Sequence, residues 1–260
     1  MRKLTHLFFL VFFSFLTVNA QQYTAELITK KPLDVGQFHG VDQKGNLYYE
    51  RKGNLIKFFD DEELEFRDLQ LGKIHYVDYL NPLRLLVFYK EANTVVFLDN
   101  RMNELDRINF NFLKNNSNFD FVSMANDNSV WTFNIDVNEL QVYDHRRKKI
   151  LARSIPIYDQ VLLQKSNFNF CYLATENSFL KFNIYGSIIK QFDLKLKAFD
   201  TYKNRVLLKT QDQGYFLLNS AHELIPIDFP EISAEAFFLN DEKIYLYNKK
   251  ELYIYTLKKQ

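Results

Sequence analysis

A repeat runs through this sequence, and its spacing limits the folds that the chain can adopt. Residues 36–42 read Gly-Gln-Phe-His-Gly-Val-Asp, and residues 72–78 read Gly-Lys-Ile-His-Tyr-Val-Asp. The two copies therefore begin 36 residues apart, and short apolar runs recur with a similar spacing to the end of the chain. A period of roughly 20–50 residues is typical of solenoids, propellers and repeat arrays.

Each of six repeat units contains short runs of β-branched, aromatic and aliphatic residues, separated by turns rich in Asn, Asp and Lys. The second strand of each unit is predicted at residues 47–49, 85–89, 130–133, 171–173, 206–208 and 244–247, and the third at 55–59, 95–98, 140–143, 179–182, 215–218 and 252–255. Such runs indicate strands. No segment after residue 20 shows a sustained 3.6-residue apolar period. The repeat units are therefore predicted to be all-β.

The two ends of the chain complement each other. The last unit stops at residues 257–260, directly after its third strand, whereas residues 23–29 contain the acidic–apolar pair Glu26-Leu27 that also marks the fourth strands at Glu63 and Glu104. An N-terminal strand that completed the last unit would remove exposed sheet edges. In repeat length, strand order and closure, residues 21–260 resemble the β-propeller superfamily. The resemblance implies one six-bladed β-propeller domain, closed by the N-terminal strand completing the last blade.

The first twenty residues have the anatomy of a secretory signal peptide. Arg2 and Lys3 precede an apolar stretch at residues 7–16, and residues 18–20 end in a small-residue cleavage site. The alternative is an uncleaved membrane anchor, but the apolar stretch is much shorter than the roughly 20 residues of a spanning helix. We therefore expect cleavage after Ala20, and no transmembrane segment in the mature chain.

The absence of disulfides, which a eukaryotic secreted domain would often carry, and a composition heavy in Lys, Asn, Phe, Ile and Tyr favour an exported bacterial protein, periplasmic or secreted. Cys171 is the single cysteine, so no intramolecular disulfide forms, and it is predicted to be a small buried hydrophobic residue. The 33 basic residues nearly balance the 32 acidic ones, which argues against a nucleic-acid partner. The sequence does not indicate an oligomeric state.

The first strand of each propeller blade lines the central channel. Aligning the units by their second strands places Leu162 and five polar residues at equivalent positions: His39, His75, Asp120, Lys197 and Glu235. Histidine and carboxylate groups on one ring are potential metal ligands. Propeller symmetry alone also produces such a ring, and Lys197 opposes a cation. We therefore expect channel-lining polar residues without a metal or other cofactor.

Two further groups of charged residues have alternative interpretations. Asp42, Asp78 and Asp200 are candidate acid–base groups, but are more simply explained as acceptors of backbone hydrogen bonds in turns. The densest basic run comprises His145, Arg146, Arg147, Lys148 and Lys149. It is a candidate loop for docking an anion or an acidic partner. The alternative is a solvated hairpin turn.

Catalytic sequence motifs are absent: there is no Gly-x-Ser-x-Gly, phosphate-binding glycine loop or His-Glu-x-x-His. The sequence therefore favours a non-catalytic binding or scaffold module of the bacterial cell envelope that presents propeller loops to a protein partner. The alternative is a hydrolase or lyase acting on a glycan, lactone or peptide at the channel mouth, with His39, His75, Asp120 and Glu235 as its polar centre.

Overall fold

The computed structural model describes residues 22–113, 117–126, 128–212, 214–230 and 234–259. These ranges contain 24 β-strands and one 3-10 helix, Phe110–Phe112, so the predicted all-β class is confirmed. No helix in them is long and apolar enough to span a membrane. The signal peptide predicted at residues 1–20 lies outside the described residues.

Four sheets contain four consecutive strands each, and within each sheet neighbouring strands pair in antiparallel fashion. The first sheet comprises β2 (Gln37–Val41), β3 (Leu47–Arg51), β4 (Asn54–Phe59) and β5 (Glu62–Phe66). The second comprises β6 (Tyr76–Asp78), β7 (Leu85–Tyr89), β8 (Thr94–Leu98) and β9 (Glu104–Asn109). The third comprises β10 (Phe119–Met124), β11 (Ser129–Asn134), β12 (Glu139–Asp144) and β13 (Lys149–Arg153). The fourth comprises β14 (Val161–Ser166), β15 (Phe170–Thr175), β16 (Phe179–Asn183) and β17 (Ile188–Phe192).

The remaining strands form one sheet of eight, in the order β18-β19-β20-β21-β1-β24-β23-β22. Their bounds are β1 (Tyr23–Pro32), β18 (Leu196–Tyr202), β19 (Arg205–Thr210), β20 (Tyr215–Leu218), β21 (Leu224–Asp228), β22 (Ala236–Asn240), β23 (Lys243–Tyr247) and β24 (Glu251–Lys259).

The prediction of six separate blades, with the N-terminal strand belonging only to the last blade, is wrong, because eight strands form one sheet. Strand β1 does pair with β24 in antiparallel fashion, from Tyr23 opposite Lys259 to Pro32 opposite Glu251. It also pairs in parallel with β21, where Tyr23 lies opposite Ile227. Because β1 has a partner on both sides, it joins two groups of strands into one sheet.

The first strands of neighbouring groups lie side by side around the interior: β6 contacts β10, β10 contacts β14, β14 contacts β18, β18 contacts β22, and β22 contacts β2. The first and second sheets meet at Tyr79, whose ring stacks on Tyr48 with centroids 5.5 Å apart. A Cβ at Gly40, which has φ +140°, would come within 2.0 Å of the Tyr79 hydroxyl. Glycine is therefore required for this close approach.

The hydrophobic core consists of clusters between the faces of neighbouring sheets. Trp131 and Cys171 are fully buried together in the cluster between the third and fourth sheets, as predicted for Cys171. Burial raises the pKa of the Cys171 thiol well above its usual range. Thiolates are the reactive form of cysteine, so this residue is a packing group.

Asp42 stabilises the turn that follows its own strand, as predicted. Its Oδ1 accepts hydrogen bonds from the backbone N–H groups of Lys44, at 2.9 Å, and Asn46, at 3.0 Å. Its Oδ2 accepts from the hydroxyl of Tyr48 at 3.0 Å. This is the Asx-turn arrangement, in which a carboxylate replaces a backbone acceptor.

Asp78 and Asp200 are also structural, but they link adjacent groups of strands. Asp78 accepts from the backbone N–H of Met124, at 2.8 Å, and from that of Leu80, at 2.9 Å. Asp200 accepts from the backbone N–H of Leu239 at 2.8 Å. Each carboxylate therefore connects the first strand of one group to the first strand of another, which fixes their relative position around the interior.

Candidate functional site

A cavity of about 570 Å³ opens among the first strands. Its wall includes residues of β2, β10, β14, β18 and β22 together with His75 and Tyr76 from the start of the second sheet. Four of the predicted channel residues line it: His39, His75, Asp120 and Glu235. The hydrophobic Leu162 lines it as well. Lys197 does not belong to the cavity wall, and it is exposed on β18.

Three of these four polar groups are paired within the chain. His39 Nε2 lies 2.8 Å from Glu50 Oε1, and its side chain is almost completely buried. Asp120 Oδ1 lies 2.7 Å from Lys90 Nζ. Glu235 Oε1 lies 2.8 Å from Lys249 Nζ. Their hydrogen-bonding capacity is therefore partly used by neighbours, which favours a structural role.

His75 differs from the other three, because within the described ranges its ring nitrogens have no hydrogen-bond partner. The ring packs edge-on against Phe88, with centroids 5.9 Å apart, and near Phe121 at 6.1 Å. The His75 ring is partly buried by these contacts. Burial lowers the pKa of His75, and the positive charge of Lys90 lowers it further. The imidazole is consequently favoured in its neutral form at neutral pH, with a nitrogen available to accept a proton.

Lys165 is a cavity residue that the sequence reasoning missed. Its ammonium lies 3.1 Å from Asp200 Oδ1 and 5.4 Å from the ring centroids of both Tyr76 and Phe238. The cation is thus held between a carboxylate and two aromatic faces from other strands. Burial raises the pKa of the nearby Asp78 carboxyl above its usual value, and the hydrogen bonds from Met124 and Leu80, followed by the charge of Lys165, partly oppose this rise.

A signal for Lys165 was present in the repeat. In the strand pairing, Asp78 lies opposite Leu86, Lys165 opposite Tyr172 and Asp200 opposite Leu207. Lys165 therefore occupies the position that carries a carboxylate in two other units. Comparing the positions three residues after His75, Leu162 and Lys197 would have identified this change of charge.

The potential metal ligands of the cavity lie too far apart to form a metal centre among the described residues. Among the described residues, no three His, Cys, Asp or Glu side chains are close enough together to hold a metal ion. His39 and His75 belong to different strand groups, and His39 is bound to Glu50. The groups present can bind polar ligands, and His75 can exchange a proton.

The predicted anion-docking loop forms the turn between β12 and β13, and it divides into two parts. His145 turns inward: its Nε2 accepts a hydrogen bond from the Arg84 guanidinium at 3.0 Å, and its ring lies on Phe97. Burial lowers the pKa of His145, and Arg84 lowers it further. His145 is therefore neutral and unsuited to binding an anion. Arg146, Arg147, Lys148 and Lys149 point outward and are exposed.

Comparison with solved structures supports the architecture. The chain is similar to the β-propeller domain of Myceliophteria thermophila Cps50 (Swd1), with a TM-score of 0.60 and 8% identity over 89% of this chain and 99% of that one. It is also similar to the RRP9 WD40 repeats, with a TM-score of 0.60 and 7% identity over 90% of this chain and 100% of the other. The chain is a β-propeller.

A third similar structure is a catalytically inactive histidine-to-alanine variant of virginiamycin B lyase from Staphylococcus aureus with quinupristin. Its TM-score is 0.57 and its identity 10%, over 88% of this chain and 99% of the lyase. At such identities these likenesses concern the fold alone. No family model matches the sequence, and no curated protein matches it either.

Proposed function

We propose that this β-propeller is an exported, non-catalytic binding module of the bacterial cell envelope, and that its loops bind a protein partner. The observation that carries the proposal is that most polar groups predicted for the cavity are already paired within the chain. His39, Asp120 and Glu235 are each paired with a charged neighbour, so they do not form a set of free acid–base groups. Export is supported by the signal-like residues 1–20.

The outer surface supports the same proposal. Large apolar side chains remain exposed on the 3-10 helix, loops and outer strands, among them Phe112, Tyr158 and Tyr185, which are 87%, 87% and 78% exposed. Exposed aromatic groups are enriched at protein interfaces, because they combine a large contact area with little loss of conformational freedom. A binding partner would cover them.

Chemical cross-linking in intact cells tests this proposal. The full chain is expressed in its host with a C-terminal affinity tag, cross-linked, and recovered under denaturing conditions. We expect the envelope fraction to contain the processed protein and a discrete higher-mass adduct with another polypeptide. Recovery of monomer alone under all cross-linking conditions, or of unprocessed protein in the cytosol, would contradict the proposal.

His75 supports a second candidate, a hydrolase or lyase acting at the cavity on a glycan, lactone or peptide. Its neutral, unpartnered imidazole is the one predicted channel group that remains available as a general base. Assays of the purified protein against panels of these three substrate classes test this candidate. Turnover by the wild type that is lost in a His75→Gln variant would establish the enzyme and displace the binding module.

A further inference from the structure

We propose that the outer strand of the third sheet, together with the turn before it, binds an acidic, extended segment of a partner protein. This surface, here called the basic face, consists of residues 146–153 with Phe112 and Tyr185 on either side. The inference rests on the proposed function, and it specifies both the surface and the chemical class of the partner.

The first observation is uncompensated positive charge. Within the described part of the chain, Arg146, Lys148 and Lys149 form no ion pair. Arg147 lies 3.6 Å from Asp144, and Arg153 lies 3.8 Å from Glu139, so both pairs are loose. Exposed ion pairs of this kind contribute little stability, and the cations remain available to another carboxylate.

Two other outer strands have the opposite character. Strand β5 contains Glu62, Glu63 and Glu65, and strand β9 contains Glu104 and Asp106. Their carboxylates are partly neutralised by arginines of the same sheets, as in the pairs that Arg51 forms with Glu63 and Arg107 forms with Glu104. The basic character of β13 is therefore a property of this strand and not of outer strands in general.

The second observation is a pair of grooves, one on each side of β13. The groove toward the fourth sheet has a volume of about 670 Å³. Its lining includes Arg146, Arg147, Leu151 and Tyr185, and also Asp144, the partner of Arg147. The groove toward the second sheet has a volume of about 400 Å³, and its lining includes Phe112, Lys148, Lys149, Ile150 and Arg153. Each groove therefore combines cations with apolar side chains.

The apolar walls are exposed, and one of them is held in place. Phe112 is 87% exposed, Tyr185 78% and Leu151 47%. Next to Tyr185, Gly186 packs so closely that an added Cβ would lie 2.4 Å from the carbonyl oxygen of Arg153. This contact seats the β16–β17 turn on the end of β13 and so holds the backbone at Tyr185 beside the groove.

These features specify the occupant. Carboxylates complement the cations, and aromatic or aliphatic side chains complement the groove walls, so an acidic segment with interspersed apolar residues fits best. A flat bilayer surface does not match concave grooves on both sides of one strand. Between Val142 and Tyr143 the pairing of β12 with β13 is irregular, and such bulges disfavour pairing of a further strand to the edge. Side chains would therefore provide most of the binding.

Fluorescence anisotropy tests the inference. The probe is a fluorescein-labelled decapeptide of alternating Glu and Phe, titrated with the purified exported protein, and a decapeptide of alternating Lys and Phe is the comparison. We expect the acidic probe to bind more tightly than the basic one, and its binding to weaken as salt is added. The variant Arg146→Glu/Lys148→Glu/Lys149→Glu should bind the acidic probe about ten- to a hundredfold more weakly.

The matched control is Lys44→Glu/Lys52→Glu/Lys195→Glu, which changes the net charge equally at exposed positions of other sheets. It includes a residue with positive φ, Lys52 at 53°, that corresponds to Lys148 at 51°. This control should bind the probe as the wild type does. A separate Tyr185→Ser variant should bind the acidic probe more weakly than the wild type, because it removes an apolar side chain from the groove toward the fourth sheet.

Three results would overturn the inference: no binding of the acidic probe, equal loss in the control variant, or unchanged probe binding in the triple variant. Co-sedimentation with phosphatidylglycerol vesicles that depends on Arg146, Lys148 and Lys149, without peptide binding, would instead assign the face to a lipid surface. If the triple variant still captures the same adduct in cells, the protein-binding function stands and only the assignment of the basic face fails.

Discussion

Replacing Asp200 should expose how strongly the interior charges determine stability. In the variant Asp200→Ala, the backbone N–H of Leu239 loses its acceptor, and the ammonium of Lys165 loses the carboxylate 3.1 Å away. Asp200 is 5% exposed. Breaking a buried ion pair by removing one partner typically costs about 3–5 kcal/mol.

A loss of this size is large for a single domain. The free energy of unfolding of most domains is about 5–15 kcal/mol. For a domain of this length, 1 kcal/mol shifts Tm by about 2–4 °C, so Asp200→Ala should lower Tm by about 6–20 °C. Thermal and urea denaturation followed by circular dichroism would measure the difference.

Two further variants separate the ion pair from the hydrogen bond. Asp200→Asn keeps an oxygen that can accept from Leu239 but removes the negative charge, so its loss of stability should be smaller than that of Asp200→Ala. Adding Lys165→Met to Asp200→Asn removes the uncompensated ammonium and should restore part of the lost stability. The reasoning would be refuted if Asp200→Ala cost less than about 1 kcal/mol, or if Lys165→Met destabilised the Asp200→Asn protein further.

The remaining predictions concern the chain ends and the cavity. Deletion of residues 22–30 would expose Tyr255, which is 2% exposed, and should lower Tm by at least about 10 °C; equal melting temperatures would show that β1 is dispensable. Intact mass of the exported form should correspond to a chain starting at Gln21, and retention of the leader would contradict signal cleavage. Protein purified without chelator should contain no stoichiometric Zn²⁺, Cu²⁺ or Ni²⁺; metal that is lost in a His39→Ala/His75→Ala variant would overturn this expectation.

The regular part of the fold could be predicted because strands and turns are local features. Short runs of β-branched, aromatic and aliphatic residues, bounded by turn-forming Asn and Asp, indicated the strands, and the repeat indicated that they form successive sheets. The merged eight-stranded sheet could not be predicted in the same way. It depends on Tyr23 reaching Ile227, a contact between residues about two hundred positions apart that no local pattern encodes.

The cavity was predictable in position but not in detail. Repeat symmetry placed His39, His75, Asp120 and Glu235 at one cavity, but it could not indicate that Lys197 lies outside. Pairing with Glu50, Lys90 and Lys249 depends on rotamers and neighbouring sheets, which the repeat does not specify. The same limit applies to His145, which lies in a basic run but is turned toward Arg84.

The most direct test of the central claim is site-specific photo-cross-linking in the native host. A benzophenone amino acid replaces Tyr185 on the basic face or, as a control, Leu69, which is 75% exposed outside the basic face. The account predicts a discrete adduct with an acidic polypeptide segment from position 185 and none from position 69. Adducts from neither position, or equal adducts from both, would contradict it.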